Sequence, residues 1–366
     1  MKKYLSIACI VITASMLMAS CSKNSTPSPI VDPPTYSVPT TYNFSNANFA
    51  DATTRLGMYT EISNLMKNAL TGTFDATKAK AMLTNTGAPF ATAAYNTSNI
   101  QLADQFSSGF KADVNNFIDS LAKASNAYPT AASRGVAGVG VSNANAATIY
   151  AETSLGLNYA QVFNKGLMGG LVTYQIVTTM DAIANQTIDN KTVVNGETAM
   201  EHAWDMAFGY WGVPIDFPTN KTGAKLWGSY STQVDAGYHA NQILMDAFLK
   251  GRAAISAKDN ATFVAQAKII ITTMERLTGA AALQEVQETK AAISDPVVRN
   301  SRMSEMYGFV YSLKYNPKRV ITDAQYNALL ALFPAKTFWD LTLDQVNAIR
   351  DAVANQYGFN DVKDIL

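Results

Sequence analysis

The chain has 366 residues with 28 basic and 28 acidic side chains, a hydrophobic fraction of 48% and 10% aromatics. Such a composition belongs to a packed globule rather than a disordered segment, and the lack of a basic excess argues against nucleic acid as a partner. The only cysteines are Cys9 and Cys21 and the only histidines His202 and His239. A three-histidine zinc site is therefore excluded, and past residue 21 no thiol remains for a disulfide or a thiolate metal site.

The first 20 residues have the anatomy of a bacterial secretory signal. Lys2 and Lys3 precede an apolar run over residues 5–18, and Leu17-Met18-Ala19-Ser20 leads into Cys21. The apolar core, about 14 residues, is short of the ~20 that span a bilayer. The segment before Cys21 resembles a lipobox, in which the cysteine thiol receives a lipid before cleavage, so Cys21 is expected to be lipidated. Cleavage there removes two lysines and no acid, leaving 26 basic and 28 acidic side chains. Residues 21–42 follow as a Ser/Thr/Pro-rich tether with Pro27, Pro29, Pro33, Pro34 and Pro39, a composition that stays semi-extended. No acidic pair follows Cys21, where Ser22-Lys23-Asn24 stands.

From residue 43 to 366 the pattern is helical. Leu56, Tyr59, Ile62, Leu65 and Ala69 recur every three or four residues, with Gly72 as a stop. Val114, Phe117, Ile118 and Leu121 repeat the spacing. Residues 134–141 place Gly135, Gly138 and Gly140 among valines without a following basic helix, so they read as a flexible loop rather than a phosphate cradle. Thr192-Val193-Val194 is the best strand candidate and is very short. Leu244, Phe248 and Ala253 mark a helix within residues 234–256. Phe263, Ala267, Ile270 and Met274 mark another, with Asp259 as its N-cap. Met303, Met306, Tyr307, Val310 and Leu313 precede Pro317, and Thr342-x-x-Gln345 is a capping box before Val346, Ile349 and Val353. The fold class is all-α: a helical bundle, or two divergent bundles meeting near residue 190. No repeat of 20–50 residues supports a solenoid.

Two stretches carry candidate chemistry. In residues 197–218, Glu201, His202 and Asp205 lie within one turn, and His202 and Asp205 at i,i+3 suit a nitrogen–oxygen metal pair or a charge-oriented general base. Trp204 and Phe208 form a stripe beside them, Gly209 is expected to end that helix, and Tyr210-Trp211 to form an aromatic turn over its end. A structural His–Asp network is the alternative. In residues 152–175, Asn158, Gln161 and Lys165 make a polar stripe on an otherwise apolar helix, with Glu152 one turn upstream, suiting a ligand site or inter-helix polar contacts. Gly166, Gly169 and Gly170 permit close helix approach. Glu305, near Tyr307 and Gly308, reads as one carboxylate facing inward. No Gly-x-Ser-x-Gly elbow, zinc-protease motif or marked carboxylate pair appears.

The segments NYAQVFNKGLMGGLVTYQ (158–175), EHAWDMAFGYWGVP (201–214), AFLKGRAAI (247–255) and MSEMYGFVYSLKYNP (303–317) resemble the lipoprotein family called domain of unknown function 4856, found mainly in the Bacteroidetes. The likeness runs in order from Tyr42-Asn43-Phe44 to Tyr357-Gly358-Phe359 and implies an envelope lipoprotein. A more distant similarity is to imelysin-like proteins, two-bundle helical envelope proteins linked to iron uptake. Their His with a Glu three residues on is matched by His202-Ala203-Trp204-Asp205, with Asp for Glu and Met200 where a glycine is expected.

The expectation is a lipid-anchored, outer-membrane cell-envelope protein that binds a ligand, as an accessory in iron or other nutrient acquisition. Iron or another divalent metal is the candidate cofactor, and an outer-membrane receptor the candidate partner. The alternatives are a hydrolase using His202 with Asp205, or a glycan- or partner-binding module using Tyr210, Trp211 and Trp227. His202 and Asp205 are expected to face inward and meet Gln161, Lys165 or Glu305, since buried unpaired polar groups each cost about 1–3 kcal/mol.

Overall fold

Ser107, Asp259 and Asp295 each stand just before an apolar-periodic run and accept a hydrogen bond from the backbone amide three residues on, setting where three of the main helices begin. The computed structural model describes residues 35–69, 74–334 and 337–366. Cys21, the signal segment and Gly72 lie outside these.

In chain order the helices are α1 (Ala50–Lys67), α2 (Ala76–Thr84), α3 (Ala93–Asn96) and α4 (Ser108–Ser125). A hairpin of β1 (Gly138–Val141) and β2 (Ile149–Glu152) follows, then α5 (Tyr159–Leu167), a π-helical turn (Met168–Thr173) and α6 (Tyr174–Ala184). A second hairpin, β3 (Val193–Val194) and β4 (Glu197–Thr198), leads into α7 (Ala199–Trp211), α8 (Trp227–Gln233) and α9 (Asp235–Tyr238). The chain closes with α10 (Ala240–Ala257), α11 (Asn260–Ala291), α12 (Pro296–Ser312), α13 (Asp323–Ala331) and α14 (Leu343–Tyr357). Among the described residues helix accounts for 61% and the sheets are two-stranded, so the fold is all-α.

The 32-residue α11, about 48 Å long at 1.5 Å per residue, is the axis. It packs against α6, α10, α12 and α14, while α12 lies on α5 and α1 on α7. Helices from before and after residue 190 thus alternate around one core. The apolar positions read from the sequence line it: Leu56, Tyr59 and Ile62, Val114 and Ile118, Phe248, Phe263 and Ile270, Met303 and Met306 are all buried. The capping box at Thr342 and Gln345 forms as expected.

Three local expectations are corrected, and the one short strand candidate is met. Residues 134–141 are not a loose loop: β1 pairs antiparallel with β2, Gly140 opposite Tyr150. A Cβ at Gly140 would lie 2.8 Å from Val297 and 2.9 Å from the Glu152 carboxylate, so that glycine serves close packing. The Val193-Val194 pair does form a strand, because Asn195-Gly196, with φ of 56° and 87°, supplies the left-handed turn a two-residue hairpin requires. Gly209 does not end α7; the helix continues through Trp211 to Gly212, whose φ is 82°. The helix within 234–256 is interrupted at His239, with φ 54°. In addition, the final residues of the expected tether belong to the body: Tyr42 is buried and stacks on Phe208 at 3.7 Å.

Candidate functional site

The four sequence motifs pack as two pairs, and each pair encloses a buried ion cluster. On α7, Glu201 and Asp205 are four residues apart and share the face turned to α10, where Arg252 meets them. Arg252 Nε donates to Asp205 Oδ1 (2.8 Å), Nη1 to Glu201 Oε1 (3.0 Å) and Ser256 Oγ (2.6 Å), and Nη2 to Asn46 Oδ1 (2.8 Å). Tyr42 donates to Asp205 Oδ1 at 2.6 Å and the Asn48 amide to Oδ2 at 3.2 Å. Glu201 also closes the α7 capping box with Thr198. Gly251 lets the two helices approach, since a Cβ there would lie 2.1 Å from the Trp204 ring. Burial raises the Asp205 carboxyl above its ordinary value against the Arg252 charge; for Glu201, the Ser256, Thr198 and Arg252 contacts outweigh burial and hold it below. This cluster is sealed and its hydrogen-bonding capacity is used internally.

His202 is not part of it. A position on from Glu201, it turns away, is 45% exposed, and pairs with Glu197 (Nδ1 to Oε1, 3.1 Å). The expected His202–Asp205 pair is therefore not formed, and neither residue meets Gln161, Lys165 or Glu305. A general base or metal pair at these positions loses its geometric basis. Among the described residues no group of three or more His, Cys, Asp or Glu side chains is placed to hold a metal ion. Tyr210, Trp211 and Trp227 are buried, so they form no exposed glycan platform; burial pushes the Tyr210 hydroxyl up to about 12.

The second cluster joins α5 to α12. Lys165 Nζ lies 2.7 Å from Glu305 Oε2, both buried, and contacts the Tyr230 hydroxyl. Tyr230 donates to Glu285 Oε1 (3.2 Å), while Arg302 donates to Glu305 Oε1 (3.1 Å) and Glu288 Oε2 (2.8 Å). Gly308 allows the contact, since its Cβ would lie 2.8 Å from that of Lys165. Burial pulls the Lys165 ammonium down, but Glu305 and its neighbours outweigh this and hold it above the ordinary value. Burial and the Glu305 charge raise the Glu285 carboxyl, whereas Lys165 overcomes burial at Glu305 and holds it low. Lys165 and Glu305 are thus brought together as the polar stripe suggested, with each other rather than with α7.

Next to this cluster is a recess of 250 Å³ between α1, α4, β2 and the start of α5. Met66, Leu121, Ala151 and Ala160 give it apolar walls; Lys67, Tyr150, Asn158 and Gln161 give it polar ones. Asn158 is committed, donating to Ser301 (3.1 Å) and capping α5. The Lys67 ammonium, the Tyr150 hydroxyl and the Gln161 amide have no hydrogen-bond or ion-pair partner among the described residues. Crowding by protein, then the Lys165 charge, lowers the Lys67 ammonium from its ordinary value. A larger groove of 720 Å³ runs past Asp189, Asn190, Lys191, Lys258 and Phe263, but its polar groups satisfy one another: Lys258 donates to Asn190 (2.9 Å), and Asp189 accepts the Lys191 and Thr192 amides. The recess is the better candidate. Sequence reasoning identified Gln161 there and missed Lys67 and Tyr150.

Glu152, the last residue of β2, is fully buried and neither carboxylate oxygen has a hydrogen-bond partner among the described residues. Burial, opposed by Arg299, pushes it up to about 9. The folded acid then keeps its proton at neutral pH while the unfolded chain has lost it, so this group's contribution is full below the unfolded value and declines as pH rises toward 9. Glu152→Gln is expected to flatten that decline by up to about 1.4 kcal/mol per pH unit. Urea midpoints at pH 5 and pH 8 check it; an identical pH dependence in variant and wild type would contradict it.

No curated protein and no solved structure matches the chain. The family model described as domain of unknown function (DUF4856) matches residues 35–360, spanning all four motifs and both ion clusters. Its start coincides with the segment that brings Tyr42 into the core, and its end with the turn after α14. The chain belongs to the DUF4856 family.

Proposed function

We propose that this protein is a lipid-anchored cell-envelope protein that binds a small acid in the recess beside Lys67, as an accessory in nutrient acquisition. One observation carries the reading: three polar side chains with no partner among the described residues line one apolar-walled recess. Binding sites are commonly built this way, with apolar lining and a few convergent polar groups. At 250 Å³ the recess is slightly below the ~300 Å³ at which drug-sized sites begin, which suits a small metabolite or one end of a larger one.

Charge points to an anion. Lys165 is matched by Glu305 and Arg302 by Glu288, while burial keeps Glu285 toward its neutral form. Lys67, exposed at the rim of the recess, makes no ion pair among the described residues and feels the Glu305 carboxylate only at longer range. A carboxylate would accept from the ammonium, the Gln161 amide and the Tyr150 hydroxyl together. A bare metal ion suits these groups poorly, because none is the carboxylate or imidazole that holds one. The iron association of imelysin-like proteins therefore supports at most an acid that accompanies a metal.

Thermal unfolding in the presence of acetate, glutarate, benzoate and citrate tests this. A ligand at a hundredfold excess over its Kd stabilises by about 2.7 kcal/mol, a rise of several degrees. At least one of the acids is expected to raise Tm, and Lys67→Met to abolish the rise. If none does, or if Lys67→Met responds like wild type, the reading fails.

A further inference from the structure

The β3–β4 hairpin projects from the body with residues 191–196 all exposed. Val193 is 64% and Val194 61% exposed, adjacent in sequence and on opposite faces of the strand. A two-residue strand closed by Asn195-Gly196 gives both valines to the surroundings, and among the described residues no third strand covers them. Isolated exposed apolar side chains are ordinary. Two at the tip of a tight hairpin, with Lys191 and the exposed Asp189 at its base, make a compact apolar wedge beside a pair of opposite charges.

Hydrogen bonds fix where this wedge sits relative to the incoming chain. Asn46 Nδ2 donates to the Gly196 carbonyl at the hairpin turn (2.9 Å). Tyr36 donates to Asp259 Oδ2 (3.0 Å), and the neighbouring Lys258 donates to Asn190 Oδ1 (2.9 Å), which also accepts from Thr198 Oγ1 in β4 (3.0 Å). The first described residues therefore run past the hairpin and join the body on its side. From Cys21 to Thr35 is 14 residues, at most about 50 Å fully extended. A lipid on Cys21 would hold this end of the body nearest the bilayer.

We propose that the β3–β4 hairpin rests on the membrane, with Val193 and Val194 entering the interfacial layer and Lys191 and Lys258 facing lipid phosphates. The occupant is the bilayer itself, and the inference rests on the lipid-anchor reading. Side chains of this kind seat at the headgroup boundary, where apolar groups leave water and lysine stems keep their charge at the surface. The hairpin would then fix the orientation of the body, which a flexible tether alone does not.

The test uses the full chain, processed and lipidated in cells, with Val194→Cys carrying an environment-sensitive fluorophore. A label at Ile365→Cys, an equally exposed position, is the control. Both are placed in vesicles of phosphatidylethanolamine with phosphatidylglycerol. Iodide quenching at position 194 is expected to be roughly fivefold weaker than at 365, since a group about 5–10 Å into the boundary escapes an aqueous anion. Equal quenching in protein that floats with the vesicles overturns the hairpin contact and leaves the lipid anchor standing. Protein that fails to float overturns the anchor and, with it, this proposal. Shielding of residue 194 already present in a soluble Cys21→Ala form would assign the hairpin to a second copy of the chain and likewise overturn membrane contact.

Discussion

Arg252→Met is expected to lower stability by about 3–5 kcal/mol, seen as a large drop in the urea midpoint with little change in slope. Arg252 is fully buried, and its removal leaves the Glu201 and Asp205 carboxylates facing an apolar sulfur-containing chain with only Ser256, Tyr42 and backbone amides to hold them. The penalty comes from the stranded charges rather than from the lost attraction. A triple variant, Arg252→Met with Glu201→Gln and Asp205→Asn, removes those charges and is therefore expected to recover much of the loss. If the triple variant is as unstable as the sum of its parts, the cluster holds the fold by shape and not by charge.

Lys165→Met is expected to cost a similar amount at neutral pH, about 3–5 kcal/mol, and distinctly less near pH 4.5. In the wild type, Lys165 outweighs burial to hold the Glu305 carboxyl low. A carboxyl lowered in the folded state contributes stability above its unfolded value and loses it as pH falls through the folded one. Without Lys165, burial acts on Glu305 as it does on Glu285, and the acid prefers its proton. Acidification then relieves the variant while it weakens the wild type, so the difference between them shrinks. Urea unfolding at pH 7 and 4.5 measures this, and a difference that widens on acidification would refute the assignment of Glu305 as the charged partner.

Much of the fold was legible because helix signals are local. Asp259 and Thr342 with Gln345 announce their helices from four residues of sequence, and the apolar stripes through Tyr59, Ile118 and Ile270 need only periodicity. Glycine was harder to read. Gly209 looks like a stop, but it lies where α1 crosses α7, and a Cβ there would meet Phe49 at 2.7 Å. Gly212, three residues later, carries the left-handed φ that ends the helix. In residues 134–141 the glycines suggest looseness, whereas Gly138 is packed so tightly that a Cβ there would lie 2.1 Å from the Thr130 carbonyl oxygen.

The site was legible in its parts and not in its pairing. The stripe of Asn158, Gln161 and Lys165 and the inward Glu305 were visible as polar residues on apolar faces. Which of them meet depends on the packing of α5 against α12, across 140 residues of chain. His202 drew attention because histidine is rare here, yet rarity says nothing about direction, and Glu201 rather than His202 shares the face of Asp205. Arg252 left a usable signal: four residues after Phe248 and on the same buried stripe, it had to find carboxylates. Lys67 left none, since a lysine in the last turn of a helix is the commonest of surface features. Only the recess beside it distinguishes this one.

Ligand binding is expected at the Lys67 recess and not at the buried cluster around Arg252. Nuclear magnetic resonance of the side-chain amides separates the two, because Gln161 lines the recess and Asn46 accepts from Arg252. Titration with the acid that most raises Tm is expected to shift the Gln161 amide while leaving that of Asn46 unmoved. A shift at Asn46 with Gln161 unchanged would contradict the account.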